Sequence, residues 1–283
     1  MQIIHSVKEL QQWAKEARRN GKTIGLVPTM GFLHDGHMSL IDTARANGAN
    51  AIVVSIFVNP IQFGPNEDFD RYPRDFEHDR AMCEARKVDV IFAPAVSDMY
   101  PQPLTCHVAE TTISQKLCGR TRPTHFQGVT TVVSKLFLAA LPDLAVFGQK
   151  DAQQAAIIRR MVRDLNFPIT IITAPIIREA DGLAMSSRNK YLSADEHQRA
   201  LAISRSLFAA QKTVKENPEI KAAELIGAIR SAIEKAGGVV DYIELTDSET
   251  MIPQEEMVPG GHHTIAVAAK FGATRLIDNV QLN

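Results

Sequence analysis

The sequence predicts an open parallel α/β sheet followed by a smaller α+β unit. Strand-like apolar runs and helix-periodic stretches alternate about five times over the first 175 residues, as in parallel sheets built from strand–helix repeats. The clearest run, Ala51 to Val58 (AIVVSIFV), has no polar alternation, which favours a parallel strand covered on both faces. From Val239 onward, by contrast, strand-like runs follow one another with no helical pattern between them.

Taken in order, the elements are these. Ser6 opens a helix to about Arg19, with Val7, Leu10, Trp13 and Ala14 on one face and Glu9 at capping-box spacing. Gly21 ends it. Ile24 to Val27 reads as the first strand, stopped by Pro28, and Thr29-Met30-Gly31 turns the chain. Leu40, Ile41 and Ala44 then recur at helical spacing. After Ala51–Val58, residues 59–75 (NPIQFGPNEDFDRYPRD) exceed a routine connection; such loops are lids, binding loops or solvated surface. A helix from Phe76 to about Lys87 leads to a strand at Asp89 to Ala93. Val96 to Gly128 lacks clean periodicity, but RTRPTHFQGV at 120–129 sets two arginines and His125 beside Phe126, either a closure over an anion or a surface turn.

Thr130 to Ala140 is apolar at helical spacing, and Leu144 to Phe147 is another strand with Gly148-Gln149-Lys150-Asp151 at its end. Ala152 to Leu165 reads as helix and Ile169 to Ile172 as strand. Residues 178–189 (READGLAMSSRN) are polar and glycine-bearing, a junction that divides the chain into 1–177 and 178–283. Ser193 and Glu196 form a capping box for a long helix to about Lys215. A second helix, Ile220 to Ala236, stops at Gly237-Gly238, and strands at Val239–Leu245, Thr264–Ala269 and Arg275–Val280 complete the smaller unit.

Composition narrows the function. A chain of 283 residues has room for two domains, and 31 Lys plus Arg against 32 Asp plus Glu argue against a surface built for a nucleic acid. Three cysteines, Cys83, Cys106 and Cys118, have no C-x-x-C spacing and read as reduced thiols. Neither a signal-peptide pattern nor an apolar run of membrane-spanning length is evident, so the expected location is the cytoplasm.

The stretch Thr23 to Ala46 carries the chemistry. His34 and His37 lie three apart with Gly36 between them, at the mouth of a strand–loop–helix unit. Residues three apart share a helix face, and free N–H groups at a helix N-terminus suit a phosphate. The spacing alone leaves two alternatives, a metal pair and a pair of capping or surface histidines; H-x-x-H supplies only two ligands and lacks the Glu of a zincin. Ligands of parallel sheets bind at the strands' carboxyl ends, and Phe32–His37, Asn59–Phe63 and Gly148–Asp151 all fall at such ends. Imidazoles and an ammonium converging there suit adenylation, in which a carboxylate attacks the α-phosphorus of ATP. Lys150, Ser186, Ser187 and Arg188 would bear on the leaving phosphates. Taken singly, Lys150 could be an exposed helix-start lysine, the 185–188 run a linker, and Gln62, Gln153 and Gln154 surface amides.

Five blocks, VPTMGFLHDGH (27–37), SIFVNPIQF (55–63), FGQKDAQQ (147–154), MSSRN (185–189) and RLIDN (275–279), resemble the pantothenate synthetase family of the H-x-G-H nucleotidyltransferase-like superfamily. The likeness runs in order across nearly the whole chain. It implies a Rossmann-like N-terminal domain, 1–177, that binds nucleotide and pantoate, and an α+β lid domain, 178–283. It further implies an AMP-forming ligase: ATP adenylates (R)-pantoate, and β-alanine then displaces AMP to give pantothenate. By position, the resemblance assigns catalysis to His37, His34, Lys150 and Arg188. It assigns ATP binding to Met30, Gly31, Phe32, Leu33, His34, Asp35, Gly36, His37, Gly148, Gln149, Lys150, Asp151, Ile177, Met185, Ser186, Ser187 and Arg188. Gln62 and Gln154 are implied to hold pantoate, with Gln62 bordering the β-alanine path. Magnesium with ATP, a cytoplasmic homodimer and no nucleic-acid or membrane partner complete the implication; metal ligands are not implied. Two departures stand out. Thr124 replaces the glycine of the usual R-P-G-H-F, putting the shape of the 120–129 loop and the role of His125 in question, and MSSR lacks the lysine of K-M-S-K-S, leaving the charge to Arg188. An adenylyltransferase of the same superfamily would share the histidines but not explain Gln62 and Gln154; an ATP-binding regulatory module would not need His34, His37 and Lys150 together.

Overall fold

Six parallel strands form the first sheet: β1 (Gln2–Ile4), β2 (Ile24–Thr29), β3 (Ala51–Ile56), β4 (Val90–Phe92), β5 (Leu144–Gly148) and β6 (Thr170–Ala174), in spatial order β1-β4-β3-β2-β5-β6. The structure is a computed structural model and describes residues 1–65, 67–101, 104–258 and 260–282; Asn66, inside the 59–75 loop, lies outside the described residues. From β2 the chain builds outward through β3 and β4, then returns to lay β5 and β6 on the other side of β2. The order therefore reverses between β2 and β5, which opens a crevice at their carboxyl ends. The histidine loop follows β2 and Lys150 follows β5, so topology alone brings them together.

Helices cover both faces. On one side α1 (Val7–Arg19), α6 (His125–Ala140) and α7 (Ala152–Asp164) bury Leu10, Ala14, Phe137, Ile157 and Met161. On the other, α2 (Asp35–Ala46) and α3 (Phe76–Ala85) bury Met38, Ile41 and Cys83. Two one-turn helices, α4 (Val96–Met99) and α5 (Cys118–Thr121), lie in the stretch without periodicity. The second sheet is antiparallel, β7 (Val239–Asp247), β8 (His263–Phe271) and β9 (Thr274–Leu282), backed by α8 (Ala194–Glu216) and α9 (Ala222–Lys235). Alternation along β8 divides its side chains: Ile265, Val267 and Ala269 join the core under α8 and α9, whereas Ala266 and Ala268 join the core of the first sheet.

Three differences from the sequence reading have physical reasons. Strand β1 is too short to show a period, yet it pairs with β4 along Gln2–Ile4. Strand β2 runs through Pro28 to Thr29 rather than stopping there. Its ladder to β5 covers only Gly25 and Leu26, and Thr29 N–H faces Ser55 of β3 (3.3 Å), so by alternation the missing N–H of Pro28 faces the side where no strand needs it. Thr124 needs no glycine-like conformation: it precedes α6 at φ −95°. Where the sequence reading starts this helix at Thr130, it begins at His125, and a tight turn at Pro60–Gln62 packs on its first turns. Gly128 makes that approach possible, since a Cβ there would lie 2.5 Å from Ile61 O and 2.6 Å from Gln62 Cα. Both obstacles are backbone, so Gly128→Ala must push the helix and the turn apart. It should destabilise the chain by about 1–3 kcal/mol, read from urea unfolding; an unchanged midpoint would show that the two elements separate freely.

Candidate active site

The turn before α2 is held in an unusual shape. Gly31 and Phe32 both have positive φ (83° and 51°), which for Phe32 costs conformational energy that its surroundings must offset. Asp79 on α3, 1% exposed, supplies the offset by accepting from the N–H groups of Phe32 (2.8 Å) and Leu33 (2.6 Å). Burial raises the pKa of this carboxyl, and those two donors work against the rise.

The histidines form the cap of α2. His34 Nδ1 accepts from Gly36 N–H, and His34 N–H donates to His37 Nδ1, both at 3.2 Å. A backbone N–H can only donate, so both Nδ1 atoms are bare and each neutral ring carries its hydrogen on Nε2. The rings lie 4.0 Å apart between centroids. Burial, followed by the charge of Lys150, lowers His34 to about 4. Burial, His34 and then Lys150 hold His37 well below its ordinary value. At neutral pH the pair is therefore two uncharged Nε2–H donors. Gly36 is required by the same arrangement, because a Cβ would sit 2.9 Å from the His34 ring.

At the end of β5, Lys150 stands beside Asp151 (3.5 Å). Asn279 of β9 fixes this corner by donating to the carbonyls of Gln149 (2.9 Å) and Lys150 (3.2 Å), while the Gln149 amide donates back to Asn279 Oδ1. Beyond β3, Gln62 is buried; its Oε1 accepts from Asn59 (3.0 Å) and its Nε2 points at Met30 Sδ (3.0 Å). Asn59 in turn accepts from Tyr100 (2.7 Å). His125 Nδ1–H donates to Gln62 O (2.8 Å), and burial lowers that imidazole to about 4, so it too is neutral. Arg122 grips Glu67 through two hydrogen bonds (2.7 and 2.6 Å), so the 120–129 segment fastens the 59–75 loop.

The junction closes over the crevice. Ser187 Oγ donates to Phe32 O (3.2 Å), and Ser186 caps the following turn through Arg188 N–H. Arg188 is bound bidentately by Asp68 (2.9 Å twice) and lies over the Tyr72 ring. Burial opposes its charge, but the Asp68 carboxylate outweighs burial and raises its pKa.

A cavity of about 220 Å³ collects most of these groups: Met30, His34, Gly36, His37, Gln62, Gly148, Lys150, Asp151, Gln154, Ile177, Met185, Ser186, Ser187 and Arg188 all line it. Its inner wall is apolar, with Phe57, Val132, Val133 and Leu136. A larger cleft of about 790 Å³ adjoins it, sharing Lys150, Asp151, Gln154, Ser186 and Arg188. The remaining sequence-predicted residues sit around the cavity rather than on its lining. Leu33 is 2% exposed, within the core under α2. The Phe32 ring faces Lys190 (4.1 Å), Gln149 is tied to Asn279, Gly31 lies in the turn, and Asp35 begins α2. Gln153 is buried rather than a surface amide: it accepts from Cys118 N–H and donates to the carbonyls of Ile113 and Lys116. Sequence reasoning misses Asp79, Asp68, Tyr72 and Tyr100, and names Asn59 only as the start of a converging stretch. Asn59, Asp68 and Tyr72 lie in the long loop it singled out, whereas Asp79 reads as an ordinary helix-surface carboxylate.

No helix among the described residues is long and apolar enough to cross a membrane. The chain is 52% identical over 282 residues to a pantothenate synthetase of Geobacter sulfurreducens, covering 100% of this chain and 99% of that one. It is 50% identical over 283 residues to that of Thermotoga neapolitana, with both chains covered completely. A crystal structure of pantothenate synthetase from Thermus thermophilus superposes with a TM-score of 0.92 at 42% identity, covering 100% of this chain and 99% of that one. The pantoate-beta-alanine ligase of Francisella tularensis, crystallised in complex with beta-gamma ATP and beta-alanine, does so at 0.80 and 33%, covering 99% and 97%. With the pantoate-beta-alanine ligase family model matching residues 2–281 as well, the chain belongs to that family.

Proposed function

We propose that the chain condenses (R)-pantoate with β-alanine at the expense of ATP, giving pantothenate, AMP and pyrophosphate through a pantoyl adenylate. The observation that carries this reading is the meeting of His34, His37, Lys150 and Arg188 on one cavity that also holds Gln62 and Gln154. A small hydroxy acid with a branched carbon skeleton suits the inner end, its methyl groups against Val132, Val133 and Leu136 and its oxygens on the two glutamine amides. The nucleotide then lies along Met30–His37, Gly148–Asp151, Ile177 and Met185–Arg188.

In the first step a pantoate carboxylate oxygen bonds to the α-phosphorus as the bond to the pyrophosphate oxygen breaks. Negative charge grows on the transferring oxygens, and the Nε2–H groups of His34 and His37 meet it as fixed hydrogen-bond donors. Neither ring has a proton to give up as an acid, because each is already neutral. Lys150 and Arg188 balance the departing pyrophosphate; Arg188 has N–H groups beyond the two that Asp68 occupies. In the second step the β-alanine amine attacks the acyl carbon: the C–N bond forms, the acyl C–O bond to AMP breaks, and the proton leaving the nitrogen passes to water. Magnesium bound with ATP would neutralise phosphate charge, and Asp151 is the residue that would hold it: it lines both cavities and, among the described residues, pairs with Lys150 alone. The Francisella tularensis complex with beta-gamma ATP and beta-alanine supports the same pair of ligands here. We further propose the division into a 1–177 domain and a 178–283 lid, a cytoplasmic location, and a homodimer formed through the N-terminal domain.

The test is pyrophosphate exchange. Exchange should require pantoate, and AMP release should then require β-alanine; exchange with a phosphorylated cofactor precursor instead would replace this reading with an adenylyltransferase. His37→Ala and Lys150→Ala should each slow exchange by roughly 10²–10³-fold with the fold retained. Loss of folding in His37→Ala would make that ring structural instead.

The protonation state is separately measurable. With a value of about 4 for His34, far below an ordinary imidazole, acid must fall well under neutrality before the ring charges. In nucleotide-free protein, ¹⁵N spectra should show bare Nδ1 and protonated Nε2 on both rings at pH 7, with the His34 ring charging only near pH 4. Because the unfolded chain takes up this proton near the ordinary imidazole value of 6.5, stability should already fall as pH drops from about 6.5 towards 4, before the folded His34 ring charges. A ring titrating near 6.5 would overturn the neutral-donor assignment.

A further inference from the structure

Outside the crevice, one group of side chains converges without serving the reaction. Glu179 and Asp181 lie in the hairpin that follows β6, and His197 lies in the first turn of α8. One donor atom from each falls within 4.8 Å of the others. His197 Nε2 is 2.7 Å from Asp181 Oδ2 and 3.7 Å from Glu179 Oε2. Among the described residues that line the two cavities, none of the three appears.

Two carboxylates facing one imidazole leave uncompensated negative charge even when the ring is protonated. A second observation adds to this. Asn189 donates through Nδ2 to Glu179 Oε1 and to Ala184 O (3.1 Å), and its Oδ1 is fully buried with no hydrogen-bond partner among the described residues. Asn189 thereby holds Glu179 Oε1 and leaves Glu179 Oε2 on the side of His197. The hairpin itself is firm: Glu179 N–H donates to Leu183 O (2.8 Å), Gly182 N–H donates to Glu179 O (2.9 Å), and Arg178 is clamped on Asp278 (2.7 and 3.0 Å).

We propose that Glu179, Asp181 and His197 form a divalent-cation site of two carboxylates and one imidazole. Ligand atoms around a four-coordinate ion at about 2.0–2.2 Å stand roughly 3.3–3.6 Å apart, between the two separations seen here, so small side-chain rotations suffice. An imidazole nitrogen selects a borderline transition ion such as Zn²⁺ or Co²⁺ over Mg²⁺ or Ca²⁺, which prefer oxygen. The ion takes the place of the hydrogen between His197 Nε2 and Asp181 Oδ2. Its position ties the hairpin to α8, and Asn189 joins Glu179 to the turn that carries Ser187 and Arg188. The site is therefore a brace under the phosphate-binding segment, and it does not depend on which reaction that segment serves.

Cobalt alone is the probe. In a His34→Ala/His37→Ala background, which removes the imidazoles of the crevice, Co²⁺ should bind with one ion per chain and visible d–d absorption, and Zn²⁺ should displace it. Adding H197A or D181N should weaken that binding about tenfold or more, with melting in metal-free buffer used to confirm folding. Unchanged affinity in H197A, or no saturable binding at all, would overturn the site. Should the background variant fold poorly, Co²⁺ broadening in the amide spectrum of the unaltered chain decides the matter: losses centred on 179–197 support the proposal, and losses confined to 30–37 refute it.

Discussion

The site depends on one local arrangement, the use of both Nδ1 atoms of His34 and His37 as acceptors for backbone N–H groups at the start of α2. A helix N-terminus has donors to spare, and most helices satisfy them with a serine or an aspartate. Here the imidazoles do that work themselves. Capping fixes the ring orientation, fixes the tautomer, and leaves two Nε2–H groups aimed away from the backbone. Gly36 is needed because the His34 ring occupies the space of its Cβ. Asp79 is needed because the turn that delivers His34 passes through two residues of positive φ. A neutral pair also avoids a conflict: two imidazolium rings 4.0 Å apart, beside Lys150, would repel one another in a partly desolvated site.

Much of this was legible in the sequence, and for a physical reason. Parallel sheets place ligands at strand ends, so polar, glycine-bearing stretches after Val27, Val58 and Phe147 mark the crevice before any coordinates exist. Element types follow from periodicity along most of the chain, and the capping box of Ser193 and Glu196 is present as the spacing suggests. What the sequence hides is anything defined by a distant partner. Asp79 looks like a surface carboxylate on an amphipathic helix until α3 is seen to face the 31–33 turn. Gln153 looks like a surface amide until the 113–118 segment folds over it. Pro28 looks like a terminator because the incomplete ladder between β2 and β5 has no sequence signal.

The last strand shows how far such partners can lie. The RLIDN block lines the larger cleft and not the smaller cavity that takes in His34 and His37. Within it Asn279 holds the carbonyls of Gln149 and Lys150, and Asp278 holds Arg178 at the start of the hairpin. Two neighbouring residues of β9 thus position a strand end in the first sheet and the approach to Ser186–Arg188. Asp278 has a side chain only 3% exposed, so its bidentate pairing is what makes a buried carboxylate tolerable.

The same reasoning explains how the crevice holds a cationic side chain. Arg188 is half-buried, and an unpaired guanidinium there would carry a desolvation cost. Asp68 removes that cost with two parallel hydrogen bonds, and it comes from the 59–75 loop, which Arg122 fastens separately through Glu67. The loop is therefore attached at two arginines, one on the α6 side and one on the junction. The carboxylate holds the guanidinium in one orientation, so the ordering of that side chain is already complete within the fold.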